Sequence, residues 1–192
     1  MDGYYDPIVS HFLDKPVCLC GFWGARVPEI AVLASSYTGI PFADLERKIE
    51  HRLGASLCSL YAKGHLGSLD EVEHECLRHL LSSRPYPIVS LRPETLMQPR
   101  NARLVANKMR LIYIKKDIFS LFATISKIRA RKEKNRLMNL QFADPEDLHS
   151  VNRLLKSVEG QYTRADQTIY VEKDEPRAIA KDVIALLDAC RL

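Results

Sequence analysis

Gly21 and Gly24 stand where an apolar run ending at Phe22 gives way to a helix that Pro28 opens, the strand–turn–helix setting in which backbone N–H groups hold phosphate. Gripping a nucleoside triphosphate in such a turn also takes a lysine for the outer phosphates and a hydroxyl to ligate magnesium. Val27 offers neither charge nor hydrogen bond, and Pro28 has neither a hydroxyl nor an N–H. Glu29 puts a carboxylate in the first helical turn, where it suits the helix dipole and competes with an incoming phosphate. Two readings of Gly21, Gly24 and Arg26 follow. Either the glycines simply shape a turn, with Trp23 as a packing residue, or they are the remnant of a nucleotide site in which Arg26 swings round to supply the missing charge.

A second concentration of chemistry is acidic. Asp44 and Glu46 open another helix, where an acid pair is favourable to the dipole in its own right. A third is basic: Lys127 to Arg136 holds six cations, among them Arg129, Arg131, Lys132, Lys134 and Arg136, against the single anion Glu133. That stretch reads as a solvated helix or loop, or as an attractor of nucleic acid or an acidic partner, although no aromatic residues interleave for base stacking. Arg100, Arg103, Lys108, Arg110, Lys115 and Lys116 are candidates to extend it. The cysteines are five, an odd number, and Cys18, Cys20, Cys58 and Cys76 fall in apolar periodic segments. They read as reduced packing thiols, and no Cys/His set at metal spacing accompanies them.

The elements that must position these residues alternate. Five short β-branched or apolar runs read as strands: Pro16–Phe22, Ile40–Asp44, Pro87–Leu91, Leu111–Lys115 and Thr168–Val171. Helical periods separate most of them. Pro28 to Tyr37 is stopped by Gly39, a second helix starts near Asp44, and a capping box of Ser68 and Glu71 opens Leu69–Leu81. Further helices are expected over Glu94–Asn107, from Asp117, over Leu148–Val158 and over Pro176–Cys190. This alternation predicts one three-layer α/β/α domain over residues 1–192, built on a five-stranded, mostly parallel sheet whose ligands collect at the carboxyl ends of the strands. The net charge of +4 and 46% hydrophobic content fit one soluble core and do not mark a dedicated nucleic-acid binder. The acidic N-terminus lacks leader features and no run reaches bilayer length, so the expectation is a cytoplasmic chain with no membrane association.

The turn at Gly21 resembles that of shikimate kinases, which read G-F-M-G-x-G-K-[ST]-T at this point. Gly21, Phe22, Gly24 and Ala25 fit that pattern, while Arg26, Val27, Pro28 and Glu29 replace its Gly-Lys-Ser/Thr-Thr portion. The resemblance extends through nearly the whole chain. Gly39 to Glu50 is similar to the family's G-x-x-F-x-D-T-D-x-x-I-E, and Gly54 to Leu57 to its G-x-S-I. It implies that Asp44 organises magnesium and that Glu46, one methylene longer than the family's aspartate, stands where substrate hydroxyls are held. Ser68 to Leu77 aligns with F-R-x-x-E-x-x-x-L, with Glu73 and Leu77 matching. Asp70 then occupies the place of the arginine that clamps the substrate carboxylate, and the charge is reversed. The family's Gly-Gly-Gly turn after the third strand is missing from Ile88 to Glu94, which has bulky or constrained residues there. The basic residues fall where the family's lid closes, at about residues 126–142.

The expectation is therefore a shikimate kinase-like protein without ATP:shikimate phosphotransfer, kept for binding or regulation of a protein or small-molecule ligand and needing no cofactor. An alternative is an active small-molecule kinase with a remodelled phosphate site, using Mg-ATP with Asp44 on the metal. Another is a nucleic-acid or acidic-partner binder acting through the basic segment.

Overall fold

The computed structural model describes residues 13–64, 67–130 and 147–188. Five strands form one sheet: β1 (Val17–Cys20), β2 (Phe42–Asp44), β3 (Ile88–Ser90), β4 (Arg110–Lys115) and β5 (Gln167–Tyr170). Their order is β2-β3-β1-β4-β5, and every pairing is parallel. β1 and β3 are buried along their full length, as expected for strands covered on both faces. Successive crossovers from β1 lead out to β2 and β3 on one side, and the chain then returns to place β4 on the other. β1 is thus the point at which the strand order reverses, and the turn holding Gly21 and Gly24 sits at its carboxyl end.

The helices are α1 (Val27–Thr38), α2 (Leu45–Leu53), α3 (Leu57–Ala62), α4 (Leu69–Ser82), α5 (Pro99–Lys108), α6 (Ile118–Ala130), α7 (Leu148–Tyr162) and α8 (Pro176–Asp188). They complete the three layers, with α1 packed on α8, α2 on α4, and α5 on α4 and β4. Asp44, Asp117 and Asp147 cap α2, α6 and α7 by accepting from the second and third backbone N–H groups of each helix.

Three local expectations change. The helix expected over Glu94–Asn107 is split into a 3-10 turn at Thr95–Met97 and α5, because Pro99 pushes Gln98 into extended backbone (φ −80°, ψ 116°). The Ser68 capping box does not form: Ser68 is already in helical backbone and its side chain caps nothing. Glu71 reaches across to Arg100 instead, at 2.6 Å. A short helix, α3, follows Gly54 where the sequence suggested only a turn, and Ser56 caps it through the Ser59 N–H. The predicted end of the last helix, residues 189–190, lies outside the described residues, as does most of the 126–142 segment.

Cys18 and Cys20 are free, fully buried β1 residues, and the Cys18 thiol donates to the Met109 sulfur at 3.1 Å. The core they join runs through Leu19, Ile30, Ile88, Ile112 and Ile114, all within 1% of full burial. Truncation of Ile112, on the interior strand β4, is expected to cost about 2–5 kcal/mol through lost transfer energy and the cavity left behind. Urea denaturation of Ile112→Ala should show a lower midpoint with an unchanged slope.

Candidate functional site

The site is built at the carboxyl ends of β1, β2, β3 and β4. Gly21 is needed for close packing. A Cβ there would lie 2.9 Å from the Ala25 Cβ and 3.1 Å from the Ile114 carbonyl. Gly24 has φ +86°, and a Cβ on it would approach the Leu121 carbonyl to 2.9 Å, so α6 lies directly against the turn. The Ala25 N–H closes the turn on the Phe22 carbonyl at 3.0 Å, and the Arg26 carbonyl accepts the first helical hydrogen bond from Ile30.

Arg26 itself adopts φ 59°, ψ 32°. A side chain in this left-handed region costs of order 1–3 kcal/mol. Glycine is the residue that adopts this backbone freely. The backbone takes the left-handed shape all the same, and the side chain folds forward onto the helix. Its guanidinium donates to both oxygens of Glu29, from Nε at 2.8 Å and from Nη2 at 2.7 Å. This fork-to-fork pair turns Arg26 along α1 rather than back over the turn. Val27 is buried at 4% exposure and packs against Gly21. Trp23 is buried edge-on against Phe22, a packing role.

Sequence reasoning missed Lys116 at this turn. Its side chain is fully buried, and Nζ donates to the Gly24 carbonyl at 3.2 Å and pairs with Asp174 at 2.7 Å. Asp174 also accepts from Thr124 of α6. Lys115, its neighbour, faces Glu159 at 2.8 Å, Arg100 faces Glu71 and Arg110 faces Asp14. Four of the six cations offered as extensions of the basic segment are therefore spent on separate ion pairs. Lys127 is exposed on α6; the side chain of Arg129, and Arg131, Lys132, Lys134 and Arg136 altogether, lie outside the described residues.

The acidic side is organised around Arg92, whose residue is only 4% exposed. The Arg92 guanidinium donates to Glu73 Oε2 at 3.3 Å and to the Tyr61 hydroxyl at 3.0 Å, and lies 3.5 Å from Glu94. Thr95 completes the group by donating to Glu73 Oε1 at 2.7 Å while accepting the Arg92 N–H. Burial opposes the charge on Arg92, but Glu94 and Glu73 outweigh it and hold the guanidinium protonated. Arg92 Nε has no hydrogen-bond partner among the described residues. Tyr162, buried behind this turn, donates to the Pro93 carbonyl at 2.7 Å and fixes its path.

Asp44 and Glu46 are partly buried at the start of α2. Desolvation raises the Asp44 pKa, against the hydrogen bonds from Arg47 and Glu46 N–H that lower it. Ser90, its cross-strand neighbour in the β2–β3 register, also favours the ionised form, yet the Ser90 hydroxyl makes no hydrogen bond of normal length. Burial pushes the Glu46 carboxyl up to about 7; Arg92 opposes that shift, and Asp44, Glu50 and Glu94 add to it. Asp70 is exposed, with its carboxylate accepting from Gln98 Nε2 at 2.7 Å. The guanidinium beside Glu73 thus comes from residue 92, not residue 70. The signal for it was one arginine directly after the apolar run Ile88–Leu91. Among the described residues no group of His, Cys, Asp and Glu is arranged to hold a metal ion, and no helix is long and apolar enough to cross a membrane.

Comparison with known proteins decides the family. The model of the shikimate kinase family matches residues 29–188. The chain belongs to the shikimate kinase family. A shikimate kinase of Chlorobium chlorochromatii is 29% identical over 161 residues, covering 84% of this chain and 83% of that relative. One from Dictyoglomus turgidum is 26% identical over 131 residues, covering 68% and 74%. Among solved structures, the shikimate kinase from Acinetobacter baumannii in complex with shikimate superposes with a TM-score of 0.76 at 21% identity, covering 91% of this chain and 93% of that one. That likeness establishes the shikimate kinase fold.

Two measurements test this arrangement. The Glu46 pKa is raised on folding, so its contribution to stability is fully present below the ordinary glutamate range and is lost as pH rises through about 7. Glu46→Gln should therefore be more stable than the wild type at pH 8 by about 1–3 kcal/mol, with the gap closing at pH 5. Removing the buried cation should act oppositely. Arg92→Ala leaves Glu73 buried with only Thr95 and is expected to cost about 3–5 kcal/mol in denaturant titration, part of it recovered when Glu73 is also made Met.

Proposed function

We propose that this member of the shikimate kinase family does not transfer phosphate from ATP to shikimate and serves as a binding or regulatory protein. The observation that carries the reading is the Arg26–Glu29 clasp at the mouth of α1. Glu29 brings a carboxylate into the first turn of α1, unfavourable to an incoming anion, and the adjacent cation Arg26 is already paired with it. Val27 contributes a methyl surface turned into the core, and Pro28 can neither ligate magnesium nor donate a hydrogen bond. A triphosphate therefore meets a carboxylate in the first turn of α1 and a buried ammonium, Lys116, that is committed to Asp174 and the Gly24 carbonyl.

The substrate corner supports the same reading. Arg92 lies in the turn after β3, and its charge is met by Glu73 and Glu94. Beside it Glu46 faces one cation, Arg92, against the carboxylates of Asp44, Glu50 and Glu94, so a substrate carboxylate arriving here is repelled. No cofactor is part of this reading.

In a coupled assay with Mg-ATP and shikimate the expected turnover is below about 1 s⁻¹, the lower edge of ordinary enzymes. Calorimetric titration with Mg-ATP should show no nucleotide-dependent rise in melting temperature. Turnover that disappears in Arg26→Ala would instead identify an active kinase that draws its phosphate charge from that arginine.

A further inference from the structure

A second concavity uses none of the residues of the crevice. α2 turns Lys48, His51 and Arg52 to one side, spaced i, i+3 and i+4, and α4 presents Cys76 and His79, spaced i and i+3. Between them lies a cavity of about 380 Å³. It continues into a neighbour of about 330 Å³ lined by Arg52, Glu75, Arg78, His79 and Ser82, so that Arg52 and His79 belong to both.

The charges of this groove do not balance internally. Three permanent cations, Lys48, Arg52 and Arg78, meet one carboxylate, Glu75, and Arg52 already holds it. Lys48 and Arg78 form no ion pair among the described residues. The floor is Cys76, whose burial pushes its thiol up even though Arg52 and Lys48 act to lower it, so it stays neutral and adds no negative charge. His51, His79 and Ser82 supply further hydrogen-bond donors around the rim.

We propose that the groove between α2 and α4 binds a small polyvalent anion, phosphorylated or polycarboxylate. Its volume falls in the range of small-molecule sites, about 300–1,000 Å³. Unpaired cations at both ends suit a ligand carrying separated negative charges, and Arg52 can exchange its hold on Glu75 for an anion presented in the same plane. A nucleic acid is disfavoured because no aromatic side chain lines the groove for base stacking.

The test is calorimetric titration of the full chain at low salt with pyrophosphate, with citrate and with a single-stranded oligonucleotide. Wild-type protein should bind pyrophosphate, citrate or both, and the preference between them identifies a phosphate-bearing or a carboxylate-bearing class. The double variant Lys48→Glu, Arg78→Glu should weaken that binding by at least about tenfold, while Arg26→Ala should leave it unchanged. If charge reversal disturbs the thermal melt, Lys48→Gln with Arg78→Gln replaces it, with a loss expected in the same direction. The proposal is overturned if neither small anion binds at about 10 mM, corresponding to a free energy too small for a built site. It is equally overturned if the reversed variant binds as well as the wild type, if Arg26→Ala abolishes binding, or if only the oligonucleotide binds. The groove shares no lining residue with the turn at Gly24, so this outcome is independent of whether ATP is used.

Discussion

A cation cannot be left alone in a protein interior, and two buried ones organise the carboxyl edge of this sheet. Lys116 ties the turn after β1 to the segment after β5 through the Gly24 carbonyl and Asp174, and Thr124 brings α6 into the same group. Arg92 ties the turn after β3 to α4 and α3 through Glu73 and Tyr61. In each case the charge that a ligand could have met is consumed inside the protein. The turns after β1 and β3 are held by these interactions.

Membership of the shikimate kinase family and the 0.76 TM-score to a shikimate-bound relative concern the scaffold, which is maintained by β1, β3 and β4 and the layers around them. Chemistry on such a scaffold depends on a handful of side chains at strand ends. Here those ends carry an arginine clasped to a glutamate, a valine facing the core and a buried arginine whose charge is met by Glu73 and Glu94. Scaffold and side chains thus make different statements about the same protein.

The layers were legible because each strand is a short apolar run bounded by turn residues, and the five appear within two residues of their expected limits. Asp44, Asp117 and Asp147 likewise announced their helices, since a carboxylate before a helical period has a local job. Interactions across distance were not legible. Glu71 fits a capping box by spacing, but Arg100, 29 positions away, offers a better partner. Lys115 and Lys116 look like one basic pair, yet one faces Glu159 and the other lies buried against Asp174. Arg92 reads as mere bulk until Glu73, 19 positions earlier, is seen beside it. Sequence spacing reports neighbours along an element; the pairing of charges is decided by which elements the fold stacks.

Val27 carries a consequence for how this protein can change. Its methyl groups lie against Gly21, and its neighbours are a left-handed arginine bound to Glu29 and a proline at the head of α1. An ammonium introduced at residue 27 alone would enter hydrocarbon and give up core packing. Glycine at residue 26 would act the other way, relieving the left-handed strain while releasing Glu29 from its partner. The turn after β1 is thus held by neighbours whose replacement pulls stability in opposite directions.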